Sequence, residues 1–261
     1  MSGFYLEIAR DEITVTGSDA RKFLHSQLAN DISGLAIGES IYSLLLEPTG
    51  KITSLVRVRC IAEDEFILDT EQGFGEITAA RLSRFKIRIK CEITTGSQTY
   101  FACRQLSAEQ HSKLSTLPAA MKAWRGARLE IDAIGLDPQI YAEIRLGTFA
   151  EYEHARVLAF WPQMDVDMSS DSIPSETGLT DVAVSFTKGC YPGQELVDRM
   201  DSRGTAAPQS LRVVRTTANA TAGSSVELNG KEIGRYTTVA SEIALALIKR
   251  SADSSSIEIG S

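Results

Sequence analysis

The sequence predicts an α+β chain, with a core of antiparallel sheets and helices followed by a small C-terminal β-barrel. Three observations carry this. Short runs alternating apolar and polar residues recur from Tyr5 to Leu106. Two capping boxes, Ser107-x-x-Gln110 and Thr148-x-x-Glu151, open helices between such runs. Four more alternating runs crowd the region beyond Gly204, with Asn229-Gly230 as a hairpin turn between two of them.

The elements follow in order. Residues 5–8 and 13–15 read as a short hairpin around Arg10-Asp11. Ser18 is placed to cap a helix over 19–32, with Ala20, Phe23, Leu24 and Leu28 facing the core. Residues 41–46 and 52–60 are strands joined by Pro48-Thr49-Gly50. On the second of these, Val56, Val58 and Cys60 share one face. Arg57 and Arg59 share the other, which reads as the wet face of an antiparallel sheet. A short strand at 66–68 precedes a helix over 75–85. That helix should bury Ile77, Leu82 and Phe85, with Arg81, Arg84 and Lys86 in solvent. Strict alternation over 87–93 predicts a half-buried strand with Cys91 inward, and a strand over 100–106 carries Cys103. Further strands are expected at 128–131 and 141–146, and a long polar loop at 161–180.

Bulk properties narrow the function. The chain has 261 residues, enough for one large domain or two. A net charge of −7 argues against a broad electrostatic footprint for nucleic acid, so no direct nucleic-acid partner is expected. No apolar run approaches the ~18–20 residues of a membrane span, and MSGFYLEIARDE lacks the features of a signal peptide. The four cysteines form no C-x-x-C pair, which fits reduced thiols in a cytoplasmic protein, expected to be a monomer. The three histidines, His25, His111 and His154, lie outside any turn-rich motif. A cysteine hydrolase would lack its base, and a metal site its ligands.

The most informative stretch is VSFTKGCYPGQELVDRMDSRG, residues 184–204. A short apolar run over 182–186 reads as a strand. Gly189, Pro192 and Gly193 then forbid regular structure, and the chain turns helical after Gly193. Cys190 therefore sits on a tight turn before a helix, with Lys188 two residues upstream. Cations and helix N-termini both favour thiolate, the reactive form.

KGCYPGQE followed by Arg199 and then Arg203-Gly204 resembles the signature of the YgfZ family. These are folate-binding proteins related to the T-protein of the glycine cleavage system, an aminomethyltransferase. The pattern G-S-D-A-x-x-F-L-x-x-x-x-x-x-D from Gly17 to Asp31 resembles the same family, as does Ile173-Pro174-Ser175-Glu176 with Gly178-Leu179. Arg145-Leu146-Gly147 resembles its Arg-x-x-x-Gly segment in shortened form. The resemblance implies a T-protein-like folate-binding region over 1–204 and a C-terminal β-barrel over 205–261. It implies tetrahydrofolate, or a one-carbon derivative, held in a central channel. It also implies a role in making or repairing iron–sulfur clusters, including those of radical enzymes that modify tRNA, with cluster-assembly proteins or client enzymes as partners.

On that reading Cys190 is the reactive thiol. Lys188 adds positive potential, Gly189 and Gly193 admit a close backbone approach, and Tyr191 stacks on a flat ring. Gln194 and Glu195 offer a donor and an acceptor, while Arg199 and Arg203 pair with carboxylates. Asp31 and Arg145 complete the set of expected folate-binding residues. The chain departs from the family after Gly204, where Ala206-Ala207-Pro208-Gln209-Ser210 replace further basic residues. Asp69 and Glu76 lie near the region of the T-protein's catalytic carboxylate, and no motif chooses between them. Folate-dependent aminomethyl or one-carbon transfer is the alternative activity.

Timed alkylation of the native protein with iodoacetamide, read by peptide mass spectrometry, should modify Cys190 before Cys60, Cys91 or Cys103. Earlier reaction at any of those three would make Cys190 a structural residue.

Overall fold

The computed structural model describes residues 3–117, 120–125, 130–135, 144–202, 207–217, 219–252 and 254–259. Its frame is one large, mainly antiparallel sheet. The strands are β1 (Phe4–Thr16), β2 (Ser40–Leu46), β3 (Ile52–Ala62), β4 (Glu65–Glu71), β5 (Glu92–Arg104), β6 (Ala120–Lys122), β7 (Ile131–Ala133) and β8 (Arg145–Leu146). They run in the order β2-β3-β4-β1-β5-β7-β6, and β8 pairs in parallel with the start of β1. The hairpin expected around Arg10-Asp11 does not form. β1 continues straight through it, because β5 pairs with all of β1 and β4 pairs with its second half.

Helices α1 (Ala20–Gln27) and α2 (Gly75–Ser83) cover one face of this sheet. Phe23, Leu24, Ala79 and Leu82 pack there on Val56, Val58, Cys60, Phe66 and Leu68. α1 ends earlier than its apolar spacing suggests. Leu28 turns to extended geometry, and Leu28 and Ala29 pair with Leu45 and Leu44 of β2. On α2 the expected orientation is corrected. Ile77 is exposed, while Arg81 is buried and donates to Leu46 O at 2.5 Å. The strand expected at 87–93 gives way to irregular chain over most of its length, β5 starting only at Glu92. Ile87 is exposed, and Arg88 has φ +58°, which an extended strand does not accommodate. Cys91 is still buried beside Ile89 and Ile93.

Four elements cover the opposite face together with the chain between them. They are α4 (Phe149–Leu158), α5 (Pro174–Thr177), α6 (Thr180–Ala183) and α7 (Gln194–Ser202), while α3 (Ala108–Leu114) packs near β7. Both capping boxes are present, at α3 and α4, each with its reciprocal pair of hydrogen bonds. The segment over 161–180 contains α5 rather than being a plain loop. The expected strand at 182–186 is instead the end of α6 and a loop. Arg57 on β3 is only 1% exposed, because the sheet curls so that Tyr42, Tyr100, Lys122 O and Asp132 close around it. The wet face expected there is corrected to an interior one.

The C-terminal β unit is a four-stranded antiparallel sheet. It comprises β9 (Gln209–Arg215), β10 (Ser225–Leu228), β11 (Lys231–Ala240) and β12 (Ile243–Lys249), in the order β10-β11-β12-β9. Asn229 and Gly230 take φ +53° and +75°, both in the left-handed region that the tight hairpin needs. This sheet shares a core with α4, where Val157 packs with Leu211, Val213, Ile243 and Leu245. Beside it the fully buried Asp167 carboxylate accepts Arg156 Nη1 at 2.6 Å, Thr237 Oγ1 at 2.5 Å and Thr238 Oγ1 at 2.7 Å. The expected boundary at residue 204 lies outside the described residues.

Arg156→Met should destabilise the protein by about 3–5 kcal/mol, because it leaves the Asp167 charge buried without its cation. Urea unfolding of the variant beside the wild type measures this.

Candidate functional site

Two features face each other across one hydrophobic cluster. The first is a cavity of about 410 Å³ between the large sheet and α4. Its apolar walls include Tyr42, Phe74, Trp124, Tyr152 and Trp161, and the Tyr42 and Trp161 rings lie 4.5 Å apart. Its polar wall comes from the inner face of the sheet, where charges alternate. Arg10 Nε donates to Asp69 Oδ1 at 2.5 Å. Arg57 grips Asp69 with two donors, at 2.9 and 3.1 Å, and reaches Asp132 at 2.8 Å. Arg104 holds the other Asp132 oxygen at 2.7 Å. Burial opposes the charge on Asp132, yet Arg104 and Arg57 overcome it and hold that carboxyl below its ordinary range. Arg104 also lies over the Trp124 ring, 4.0 Å from its centroid.

Glu71 completes the polar wall. Burial pushes its carboxyl up to about 7, against the opposing pull of Arg10. Its hydrogen-bond donor is Met164 N, at 2.7 Å.

The second feature is the cysteine loop, held by the end of α1. The Lys188 ammonium donates to the carbonyls of His25, Leu28 (2.6 Å) and Asn30 (3.2 Å). A cation with three donors thus satisfies carbonyls that the helix end leaves open. Burial pushes Lys188 down to about 8, with Asp31 pulling the other way, so it stays mainly charged at neutral pH. Ser185 N donates to Ala29 O, and Asn30 Nδ2 donates to Val182 O, adding two more stitches. Gly193 has φ +85°, and a Cβ there would lie 2.7 Å from Glu47 O, so the loop closes only with glycine. A Cβ on Gly189 would meet nothing within 4 Å.

Cys190 is exposed, while Cys60, Cys91 and Cys103 are buried. Burial also pushes the Cys103 thiol up to about 12 and raises that of Cys91. Asp31 stands near Lys188, pairs with His25 Nδ1 at 3.3 Å and is lowered by hydrogen bonds from Ser33. The other residues expected at the ligand take these positions. Lys188 spends its donors on backbone rather than on a ligand. Tyr191 is 6% exposed, its ring packed in the core cluster with Val184 and Trp161, so it offers no open face for stacking. Arg145 is tied to Glu151 on the surface. Glu195 and Arg199 are exposed on α7 and Gln194 is half-buried at its start. Arg203 lies outside the described residues. None of the described ones lines the cavity, whose polar wall of Arg10, Asp132, Glu71 and Arg104 the sequence did not mark. No contiguous signal marks these four, since they come from β1, β4, β5 and β7.

Residues 9–104 match the GCVT N-terminal domain. An uncharacterized protein of Haemophilus influenzae is 27% identical over 87% of this chain and 80% of its own length. The tRNA-modifying protein YgfZ of Cronobacter sakazakii is 25% identical over 73% of the chain, and that of Escherichia coli O157:H7 is 26% identical over 73%. This chain is a relative of the YgfZ family. It spans 64% and 65% of the length of those two YgfZ proteins. The glycine cleavage system aminomethyltransferase T of Bartonella henselae superposes with a TM-score of 0.78 at 18% identity, over 96% of this chain and 79% of that one. The chain therefore has the fold of that aminomethyltransferase. No helix among the described residues is long and apolar enough to cross a membrane.

Two predictions follow from the electrostatics. Lys188→Met should cost about 1–3 kcal/mol by leaving buried carbonyls without donors, measured by urea unfolding. Glu71 has a folded value raised to about 7 from 4.5, so the folded chain keeps a proton that the unfolded chain releases. The stability it contributes is complete below about pH 4.5 and is lost as pH rises through about 7. Glu71→Gln should remove that loss, read as unfolding midpoints compared between about pH 5 and about pH 8.

Proposed function

We propose that this protein binds reduced folate in the central cavity and, like the YgfZ relatives named for tRNA modification, acts in that process. The finer reading is support of iron–sulfur enzymes that modify tRNA, through assembly or repair of their clusters, with Cys190 as the thiol that meets the partner. The observation that carries the ligand is the cavity itself. A flat heterocycle with donors and acceptors on its edge needs aromatic walls and a buried polar side, and Tyr42, Trp161, Arg10 and Glu71 supply both. The observation that supports the thiol is its exposure on a loop whose other contacts are structural.

Transferase chemistry is the weaker reading. It asks for a carboxylate able to assist proton transfer at the ligand. The two carboxylates that the sequence offered for this role are engaged elsewhere: both Asp69 oxygens are held by Arg10 and Arg57, and Glu76 accepts from Thr95 on the exposed side of α2, which leaves Glu71 as the cavity carboxylate such chemistry would have to use.

Tetrahydrofolate kept reduced, at ~100 Kd, should add about 2.7 kcal/mol of stability. For a chain of this size the melting temperature should rise by about 5–10 °C. No shift removes the folate reading. Cys190→Ser should leave the melting temperature unchanged yet abolish support of iron–sulfur enzymes in cells. Full support by that variant removes the role of the thiol.

A further inference from the structure

We infer that Glu71, set beside Arg10, is the specificity-determining residue of the cavity and reads the N–H edge of the bound ring. The inference rests on the folate reading and adds the group that selects the heterocycle. Arg10 and Glu71 are direct register partners on β1 and β4, and both line the cavity. Arg10 is fixed from behind by Asp69. The other carboxylates at or just behind this wall that meet an arginine are already occupied. Asp69 holds Arg10 and Arg57, Asp132 holds Arg57 and Arg104, and Glu153 and Asp167 hold Arg156. Among the described residues Glu71 has no cation within ion-pair distance. It accepts one hydrogen bond, from Met164 N on Oε2. The charged groups that act on it are Arg10 from β1, Arg156 from α4 and Asp167 from the chain after α4.

A carboxylate has about four lone-pair sites, so one backbone N–H leaves room for two parallel bonds. A 2-amino-4-oxopyrimidine ring, the recognition end of a pterin, presents a ring N–H and an amino N–H side by side. Such a pair matches a carboxylate in the bidentate manner of a guanidinium. Arg10 next to it can donate to an acceptor on the same ring, and the Tyr42–Trp161 wall can cover its face. A ligand bound this way requires Glu71 ionised, so binding draws its proton off.

The test is tetrahydrofolate binding by calorimetry under reducing conditions, for the wild type and Glu71→Gln, with a pterin analogue lacking the 2-amino group as second ligand. Wild-type affinity should fall about tenfold from pH 8 to pH 6. Glu71→Gln should bind about tenfold or more weakly at pH 8, with no pH slope. The wild type should discriminate against the analogue and the variant should not. A melting curve at pH 6 checks that the variant is folded. Tetrahydrofolate bound equally by both proteins with the same slope overturns this inference and leaves the folate reading standing, as does a wild type indifferent to the 2-amino group. No binding by the wild type at any pH overturns both.

Discussion

The burial of β3 on both faces is the constraint on which the rest depends. A strand with one face in water can carry arginine at no cost. Here Arg57 is enclosed, and a buried guanidinium is tolerated only with carboxylates against it. Asp69 comes from the neighbouring strand β4, and Asp132 from β7 on the far side of β1 and β5. Satisfying one side chain therefore fixes how strands distant in the sheet curl toward each other. The cavity lies between this curled sheet and α4, and its polar wall shares Asp132 with the charges that make β3 tolerable.

The cysteine loop is bound into this arrangement by a second buried cation. Lys188 closes the end of α1, and its neighbour Tyr191 fills the hydrophobic cluster that also contains Trp161 and Met164. Gly193 rests on the backbone of the β2–β3 turn. The motif therefore invests most of its unusual residues in holding the loop to the core. Gly189, Cys190, Glu195 and Arg199 remain outward, with Phe186 partly exposed nearby. Lys188, Tyr191 and Gly193 hold the loop that carries this thiol.

The C-terminal sheet docks by the same logic. Asp167 gathers Arg156 and two threonines of β11 where α4 meets that sheet. Across the molecule, buried charges are paired between elements far apart in sequence, while the apolar clusters fill the space between them.

What the sequence by itself determined is local. The two capping boxes, the Asn229-Gly230 turn, the four C-terminal strands and the exposed turn at Cys190 each depend on residues within a few positions of one another. The long motif also carried the family, since KGCYPGQE is contiguous. Whatever depended on a distant partner was decided only by the tertiary structure. The alternation of Arg57 and Arg59 is the same whether that face meets water or the interior, and only the curl of the sheet, which brings Lys122 O and Asp132 to Arg57, chose the latter. β1 looked like a hairpin because Arg10-Asp11 interrupts its apolar pattern. Those residues face Asp69 and the start of α2, contacts about sixty residues away in the chain. The cavity wall was invisible for the same reason. Arg10, Glu71, Arg104 and Asp132 form no motif, because a charge becomes part of a site only when the fold removes it from water and brings its partner to it.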